Sequence, residues 1–242
     1  MKKQLLGLLF IIQCVLFSSC NAQLGNILKE ASKKVGLDEL STEDVAAGLK
    51  EALSNGTSKG SEQLSVRDAY YKSIYKILMP KDAAAVCEKL RIVPGFEKLE
   101  EDMIAKINHA AEDAAKKAKP IFLNAIKQMT IRDAWNILKG NDNAATQYLR
   151  ATTTQPLYAE FNPVITEALN QHGALELWAK AVNAYNKIPL VKKANPDVAD
   201  HVTNKALEGL FNKIEIEEKD IRHNLAARTS DLLRRVFSKQ DK

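Results

Sequence analysis

The chain has 242 residues, a formal net charge of +5 and an aromatic content of 6%. Loss of Lys2 and Lys3 with the export signal described below lowers that charge from +5 to +3, too near balance to favour a nucleic-acid partner. The remaining chain of about 220 residues can form one sizeable domain or two small ones, and its few cysteines exclude a disulfide-stapled scaffold.

The N-terminus has the pattern of a bacterial export signal. The basic pair Lys2 and Lys3 precedes an apolar run from Leu5 to Phe17, and a short stretch of small residues ends in Cys20. The run is too short to span a bilayer, which takes about 20 apolar residues. We therefore expect the chain to work in the cell envelope, on the periplasmic side.

Two processing routes fit this signal. In the favoured route, cleavage falls before Cys20, which becomes the lipid-modified first residue, because Ser18 and Ser19 are the small residues expected at that position. In the other route, cleavage falls after Ala22 and releases a soluble periplasmic chain. The favoured route predicts an inner- or outer-membrane lipoprotein whose membrane contact is its lipid anchor.

The pattern divides the chain into a signal (1–19), a tether or amphipathic helix (20–39) and a single domain (40–238). Apolar residues recur at helical spacing through the tether and the domain. Glycines, prolines and capping residues predict where the elements begin and end. In chain order, the first are a helix closed by Gly36, a capping box at Ser41 and Asp44, a loop at Asn55–Ser65, a helix from Val66 to Pro80, a short helix at Asp82–Leu90 and a turn at Pro94-Gly95.

The second half of the domain continues this pattern. An Ala-rich helix is predicted at Phe96–Ala118, with Ala110, Ala111 and Ala114 at close helix crossings. There follow a helix starting at Pro120, a capping box at Thr130 and Asp133 with a stop at Gly140, a helix capped by Asp142, helix starts at Pro156 and Pro163, a helix after Gly173, a connector at Ile188–Pro196, a helix after Val198 and a stripe of Leu225, Thr229, Leu232 and Val236. No segment alternates with period two, so the predicted fold class is all-α, a single bundle of roughly ten antiparallel or orthogonal helices.

Six blocks of the domain carry a family resemblance. They are Asn108–Glu112, Ala118–Phe122, Ala125–Met129, Asp142–Tyr148, Ala206–Phe211 and Ala226–Leu233. In this order they resemble the uncharacterised bacterial family called domain of unknown function 4197, over a region from Leu40 to Phe237. Its members are mostly predicted to be exported or lipid-anchored, so the resemblance implies that location. It implies no activity and no catalytic residues.

Polar residues of these blocks form the main site candidate. They fall in pairs at helical spacing: Asn108 with Glu112, Thr146 with Arg150, and Arg228 with Asp231. The set could converge on a pocket that binds a polar ligand. The structural interpretation is favoured, in which these residues cap helices and pair internally, because buried charges must be paired in any fold.

No motif of useful specificity points to a particular chemistry. The sequence lacks an H-E-x-x-H pair, a Walker loop, a dinucleotide fingerprint and a nucleophile elbow, so no metal and no cofactor is predicted. The leading hypothesis is a non-catalytic domain that binds an unknown ligand or protein partner. The alternative is a hydrolase-like enzyme that uses Glu112, Arg150, Arg228 and Asp231.

Three weaker features each have a structural interpretation that we favour. The basic end Lys219–Lys242 is expected to be a solvated helix face, with contact to anionic lipid as the alternative. Cys87 lies in an Ala-rich stretch and is expected to be a small buried hydrophobe. Aromatic residues on the helices could line a cavity for a lipid-like ligand but are expected to be ordinary core: Phe122, Trp135, Tyr148, Phe161, Trp178 and Phe211.

Overall fold

The computed structural model describes residues 40–194 and 198–238, so Cys20, both cleavage positions and the predicted helix closed by Gly36 lie outside the described residues. The described part contains helices and turns and no strand, which confirms the all-α prediction. Its helices are α1 (Thr42–Leu64), α2 (Lys81–Leu90), α3 (Leu99–Ala115), α4 (Ala118–Gln128), α5 (Ile131–Lys139), α6 (Ala144–Gln171), α7 (Ala174–Tyr185), α8 (Ala199–His223) and α9 (Asp231–Ser238), with a 3-10 turn at Leu225–Ala227. These helices belong to one compact unit.

The long helices α1, α6 and α8 form the frame of this unit. Helix α8 packs against both α1 and α6, and α3 packs against α6. The buried apolar faces meet at the centre, where the rings of Phe122 and Phe211 lie edge to face with centroids 5.9 Å apart. Among the described helices, none is both long and apolar enough to cross a membrane.

The Ala-rich helix α3 is buried along one face, as predicted. Ala110, Ala111 and Ala114 have no solvent exposure, and α3 contacts α6, α7 and α8. Methyl side chains allow the backbones of these helices to approach closely, and a larger residue would overpack the crossing. The sequence therefore predicted correctly which face of this helix is buried.

Capping and glycine signals also placed several boundaries correctly. Thr130 and Asp133 form a capping box at the start of α5, which ends at Gly140. Gly173 separates α6 from α7 with a φ of +67°, and Gly95 has a φ of +90° at the predicted turn. Left-handed φ values favour glycine, because it has no Cβ to clash with the backbone.

The loop predicted at Asn55–Ser65 is wrong, because α1 continues through this segment. Its glycines allow close contact with α8: a Cβ added to Gly60 would lie 3.3 Å from the Cγ1 of Ile214. The buried hydroxyls of Thr57 and Ser61 each donate to the carbonyl four residues earlier, at 2.7 Å. A composition typical of loops thus serves a buried helix face, because tertiary packing outweighs weak helix propensity.

The helix predicted from Val66 to Pro80 is also wrong. The chain there forms a series of turns, and Asp68 has a φ of 67°, which interrupts a right-handed helix. Tyr70 and Ile77 are buried, whereas Ile74 is 86% exposed. This turn segment takes its main hydrogen bonds from side chains of α3, which no local pattern reveals.

Helix α6 corrects two further predictions. Its N-cap residue is Asn143 rather than Asp142, and no side-chain capping bond is made there. Pro156 and Pro163 lie inside the helix instead of starting new ones. Both prolines are on the exposed face, where water can hydrate the carbonyls that lose their helical donors, so the helix stays continuous.

The predicted C-terminal stripe is confirmed at Val236, which is buried, and wrong at Leu225 and Thr229, which are exposed. Leu225 is 65% exposed, and the buried residues of α9 are Leu233, Val236 and Phe237. The 3-10 turn after α8 breaks the register, so the helical pattern restarts at Asp231. Helix α9 then packs against α1.

The described part of the basic C-terminal end is neither a uniform solvated face nor a free positive surface. Arg222 and Arg228 are buried. Lys219 pairs with Glu215 at 2.7 Å, and Arg234 is 3.0 Å from Asp231 within α9. Lys219, Arg222 and Arg234 are thus each paired with an acid.

Candidate functional site

Asn108 and Glu112 act together as a clamp on the turn segment. The Asn108 side chain accepts a hydrogen bond from the Ile77 amide and donates to the Ile77 carbonyl, both at 2.8 Å. One turn further along α3, Glu112 Oε1 accepts from the amides of Tyr70 at 3.0 Å and Tyr71 at 3.4 Å. These bonds replace the helical ones that the segment lacks, so the pair has a structural role.

The environment of Glu112 is closed. The Tyr70 hydroxyl donates to the Ala206 carbonyl at 2.7 Å, which fixes the turn segment to α8 as well. Burial, with the Glu112 charge as a second cause, raises the pKa of Tyr70 far above its ordinary range, so the phenol stays protonated as a donor. Glu112 Oε2 is buried without a hydrogen-bond partner among the described residues.

Thr146 belongs to a second buried network, centred on Glu218. The Glu218 carboxylate accepts from the amides of Ala145 at 2.9 Å and Thr146 at 2.8 Å and from the Thr146 hydroxyl at 2.7 Å. Arg222 bonds the same carboxylate and also donates to the Ile137 carbonyl at 2.9 Å. The carboxylate therefore meets the N-terminus of α6 and the guanidinium meets the C-terminus of α5, which matches each charge to a helix dipole.

Arg228 caps the end of α8. Its guanidinium is fully buried and donates to the carbonyls of Ile221 at 3.0 Å and Arg222 at 2.7 Å. These are among the last carbonyls of the helix, which have no intrahelical donor. A planar guanidinium can reach two of them at once, so Arg228 is a structural cap.

Arg150 and Asp231 lie apart from these networks. The Arg150 guanidinium stacks over the Phe211 ring, 4.6 Å from its centroid, and the Asp231 side chain is 93% exposed. The six predicted residues therefore occupy separate places: a clamp, a helix junction, a helix cap and two outer positions. The contacts described above place Glu112 and Arg228 in different buried networks and leave Asp231 exposed.

Sequence reasoning missed Glu218 although a signal was present. Glu218 and Arg222 continue, at four-residue spacing, the stripe that contains the buried Ile214. A charged pair in register with a buried stripe indicates an internal ion pair. That pattern marks the junction of α5, α6 and α8 more directly than the family blocks did.

A cleft opens between α2 and α7. It has a volume of about 390 Å³, within the range of ligand pockets. We call it the α2–α7 cleft; its lining residues are Pro80, Asp82, Ala83, Ala85, Trp178, Tyr185, Lys192, Lys193, Ala194 and Val198. The floor is apolar and aromatic, whereas both lysines are exposed.

Trp178 gives this cleft a specific polar feature. Its side chain is 1% exposed, and its indole Nε1 is buried without a hydrogen-bond partner among the described residues. A buried donor left unpaired costs roughly 1–3 kcal/mol. Trp178 is also one of the residues that line the cleft. It was expected to be ordinary core, and it is buried as expected.

Two other site chemistries find no support in the described part of the chain. Cys87 is buried, as predicted, and burial raises its pKa to about 11, which keeps the thiol protonated and unreactive near neutral pH. Across residues 40–194 and 198–238, no three histidine, cysteine or acidic side chains are grouped as metal ligands.

Comparison with known proteins gives one match. The model of a family described as protein of unknown function (DUF4197) matches residues 39–238, which is most of the chain. No curated protein and no solved structure matches it.

Proposed function

The chain belongs to the DUF4197 family of proteins of unknown function, and from that premise we propose that it is a non-catalytic binding domain of the cell envelope. Its ligand occupies the α2–α7 cleft. The observation that carries this proposal is that the Trp178 indole N–H is buried without a hydrogen-bond partner among the described residues, while Trp178 lines a cleft of about 390 Å³. The clamp of Asn108 and Glu112, the Glu218–Arg222 pair and the Arg228 cap all bond backbone groups of neighbouring segments.

The lining of the cleft selects an amphipathic anion. Trp178, Tyr185 and Val198 provide an apolar floor that favours a hydrocarbon or aromatic body. Lys192 and Lys193 at the rim favour a carboxylate or another anionic head group, and Asp82 is the single acid among the described lining residues. An oxygen of the ligand supplies the acceptor for the indole N–H.

Export and lipid anchoring form the second part of the proposal. The basic pair, the apolar run and the small residues before Cys20 support a lipoprotein signal. Attachment through Cys20 holds the domain at a membrane surface, where amphipathic anions are abundant. Cleavage after Ala22 is the other processing route, and it leaves a soluble periplasmic form with the same cleft.

Tryptophan fluorescence tests the cleft directly. The protein has two tryptophans, so Trp135→Phe leaves Trp178 as the reporter. Dodecanoate titrated into this variant should change its emission saturably, because the acyl chain enters beside the indole. Dodecylamine, which has the same chain length and the opposite charge, should bind at least about tenfold more weakly.

Paired charge reversals provide the matched control. Lys192→Glu with Lys193→Glu should weaken dodecanoate binding about tenfold or more, whereas Lys116→Glu with Lys117→Glu, an exposed adjacent pair between α3 and α4, should leave it unchanged. A Trp178 emission that dodecanoate does not alter, or an equal loss in both pairs, would contradict the assignment of the cleft.

A further inference from the structure

We propose that the surface next to the cleft docks onto an anionic membrane, independently of any ligand in the cleft. Two segments form this docking surface. The first is Ala69–Lys81, which comprises most of the turn segment and the first residue of α2, and the second is Asn186–Ala194, which follows α7 and is called the connector below. The first leads into α2 and the second leaves α7, so the surface surrounds the ends of these two helices. Each segment presents aliphatic side chains together with lysines that form no salt bridge to a described acid.

The aliphatic side chains of the docking surface point into solvent. Ile74 is 86% exposed, Leu78 is 60% exposed and Leu190 has the full exposure of an isolated residue. Ile188 in the connector is also exposed. Large apolar side chains clustered in two neighbouring segments mark an interaction site, whereas single exposed ones need no explanation.

The backbone of the connector holds Leu190 outward at a cost. Leu190 has a φ of 64°, and a bulky residue in the left-handed region is disfavoured. Glycine or asparagine would adopt this conformation with less strain. Strained backbone persists only where the surrounding structure holds it, and it is found most often at functional sites. Here it places the Leu190 side chain in solvent.

The charge of both segments is purely positive. The sequence contains no acidic residue between Asp68 and Asp82, nor between Glu176 and Asp197. Within these stretches, no salt bridge to a described acid is made by five lysines: Lys76, Lys81, Lys187, Lys192 and Lys193. Two other lysines of these stretches do pair with the acid that precedes them: Lys72 with Asp68 and Lys180 with Glu176. Lysines on α1 and α8 also pair with carboxylates.

The two segments are neighbours in space. Pro80 lines both the groove that contains Ile74 and Leu78 and the α2–α7 cleft that contains Lys192. His201 Nε2, at the start of α8, lies 3.0 Å from the Leu78 carbonyl oxygen and holds the turn segment beside that helix. Ile74 and Leu78 therefore border one opening and Lys192 borders the adjacent one, and Leu190 lies two residues before Lys192 in the chain.

A membrane fits this combination better than a protein partner. Lysine is depleted at the cores of protein interfaces, because its ammonium is strongly hydrated and costly to bury. At an anionic bilayer, lysines remain hydrated among the head groups while short aliphatic tips enter the acyl boundary. A bilayer also needs no shape complementarity, which two separate loop tips do not offer.

Vesicle co-sedimentation tests the proposal with the lipid-free mature chain, which starts at residue 20 and carries Cys20→Ser. It should bind vesicles of phosphatidylglycerol and phosphatidylcholine, bind phosphatidylcholine alone far more weakly, and lose affinity in high salt. The triple variant Ile74→Ser, Leu78→Ser, Leu190→Asn should bind the anionic vesicles at least about tenfold more weakly. Asparagine at position 190 tolerates the local backbone.

The control removes equally exposed apolar groups elsewhere. Ile92 is 90% exposed and Leu225 is 65% exposed, both outside the docking surface, so Ile92→Ser with Leu225→Ser should bind as the unmodified chain does. Equal binding by the triple variant and the unmodified chain would overturn the proposal, as would binding without preference for anionic lipid. Sedimentation velocity adds a further outcome: a dimer that the triple variant abolishes would assign the surface to a second copy instead.

Discussion

Arg222 Nη2 lies 2.9 Å from Glu218 Oε1 on the same face of α8, in a pair whose side chains are 3% and 7% exposed. Each partner also bonds another helix. Glu218 accepts hydrogen bonds from backbone amides at the start of α6, and Arg222 donates to backbone carbonyls at the end of α5. The pair thus fixes the crossing of three helices through two charges that neutralise each other.

Removing one partner of this pair should destabilise the fold strongly. Arg222→Met strands a buried carboxylate and two helix-terminal carbonyls, which should cost roughly 3–5 kcal/mol of unfolding free energy. Adding Glu218→Gln should recover part of that loss. Urea unfolding measures both variants, with Lys219→Ala as the control, because Lys219 makes an exposed ion pair that contributes little to stability. Equal effects of Arg222→Met and Lys219→Ala would show that the pair is not buried in solution.

Two glycines of α1 should respond oppositely to the same substitution. At Gly48 an added Cβ would lie 2.7 Å from Val236 Cγ2, so Gly48→Ala should cost about 1–3 kcal/mol through overpacking against α9. At Gly56 the nearest atom, Glu217 Cβ, is 3.6 Å away, an ordinary contact. Gly56→Ala should therefore stabilise the helix by about 0.5–1 kcal/mol. Thermal melts of both variants decide this, and stabilisation by Gly48→Ala would contradict the α1–α9 contact.

The capping box of α5 should give an acid-dependent contribution to stability. The Thr130 hydroxyl and amide lower the pKa of Asp133 below its ordinary value. Because the folded pKa is depressed, this contribution is complete above the unfolded pKa, near 4, and is lost as the pH falls through the folded value. Thr130→Ala should cost about 1 kcal/mol at neutral pH and less in acid.

Carboxyl titration by NMR checks the same box independently of unfolding. In the Thr130→Ala variant, the pKa of Asp133 should rise toward its ordinary value, because both the hydroxyl donor and the cap geometry are removed. An unchanged pKa in that variant would show that Thr130 does not hold the carboxylate in solution.

Intact mass should identify the processing route. If Cys20 is lipidated, the mature chain begins at Cys20, carries added acyl mass and partitions into detergent. Cys20→Ser should then block processing or release the protein from the membrane. A mature chain that begins at Gln23 without acyl mass would instead establish cleavage after Ala22.

The sequence predicted elements whose burial follows a simple period. The stripe of α8 through Ala206, Leu210 and Ile214 and the Ala face of α3 were readable because regular helices bury every third or fourth residue. Local signals failed where distant contacts decide the structure. Gly60 is typical of a loop in the sequence, but in the structure it lies in a helix against α8. The turn segment is held by Asn108, which is 31 residues beyond its partner Ile77.

The candidate site could not be predicted from the sequence, because it too depends on contacts between distant parts of the chain. Trp178 has the spacing of a core residue and is indeed buried. Its indole nitrogen has no hydrogen-bond partner among the described residues. That fact points to a cleft only in the folded chain, where Ala83 of α2 and Lys192 of the connector line the same opening as Trp178. No family motif marks these positions, because the polar residues of the shared blocks mainly serve the clamp, the helix junction and the cap.

Mass spectrometry of the protein purified from its native envelope tests the central claim most directly. Native spectra of the intact protein should show a bound small molecule, and its fragmentation should identify an amphipathic anion with an apolar chain or ring. The Lys192→Glu, Lys193→Glu variant, purified in the same way, should carry little of it, whereas the Lys116→Glu, Lys117→Glu control should carry as much as the unmodified protein. A protein that is free of ligand, or a ligand retained equally by the cleft variant and its control, would contradict the α2–α7 cleft as the binding site.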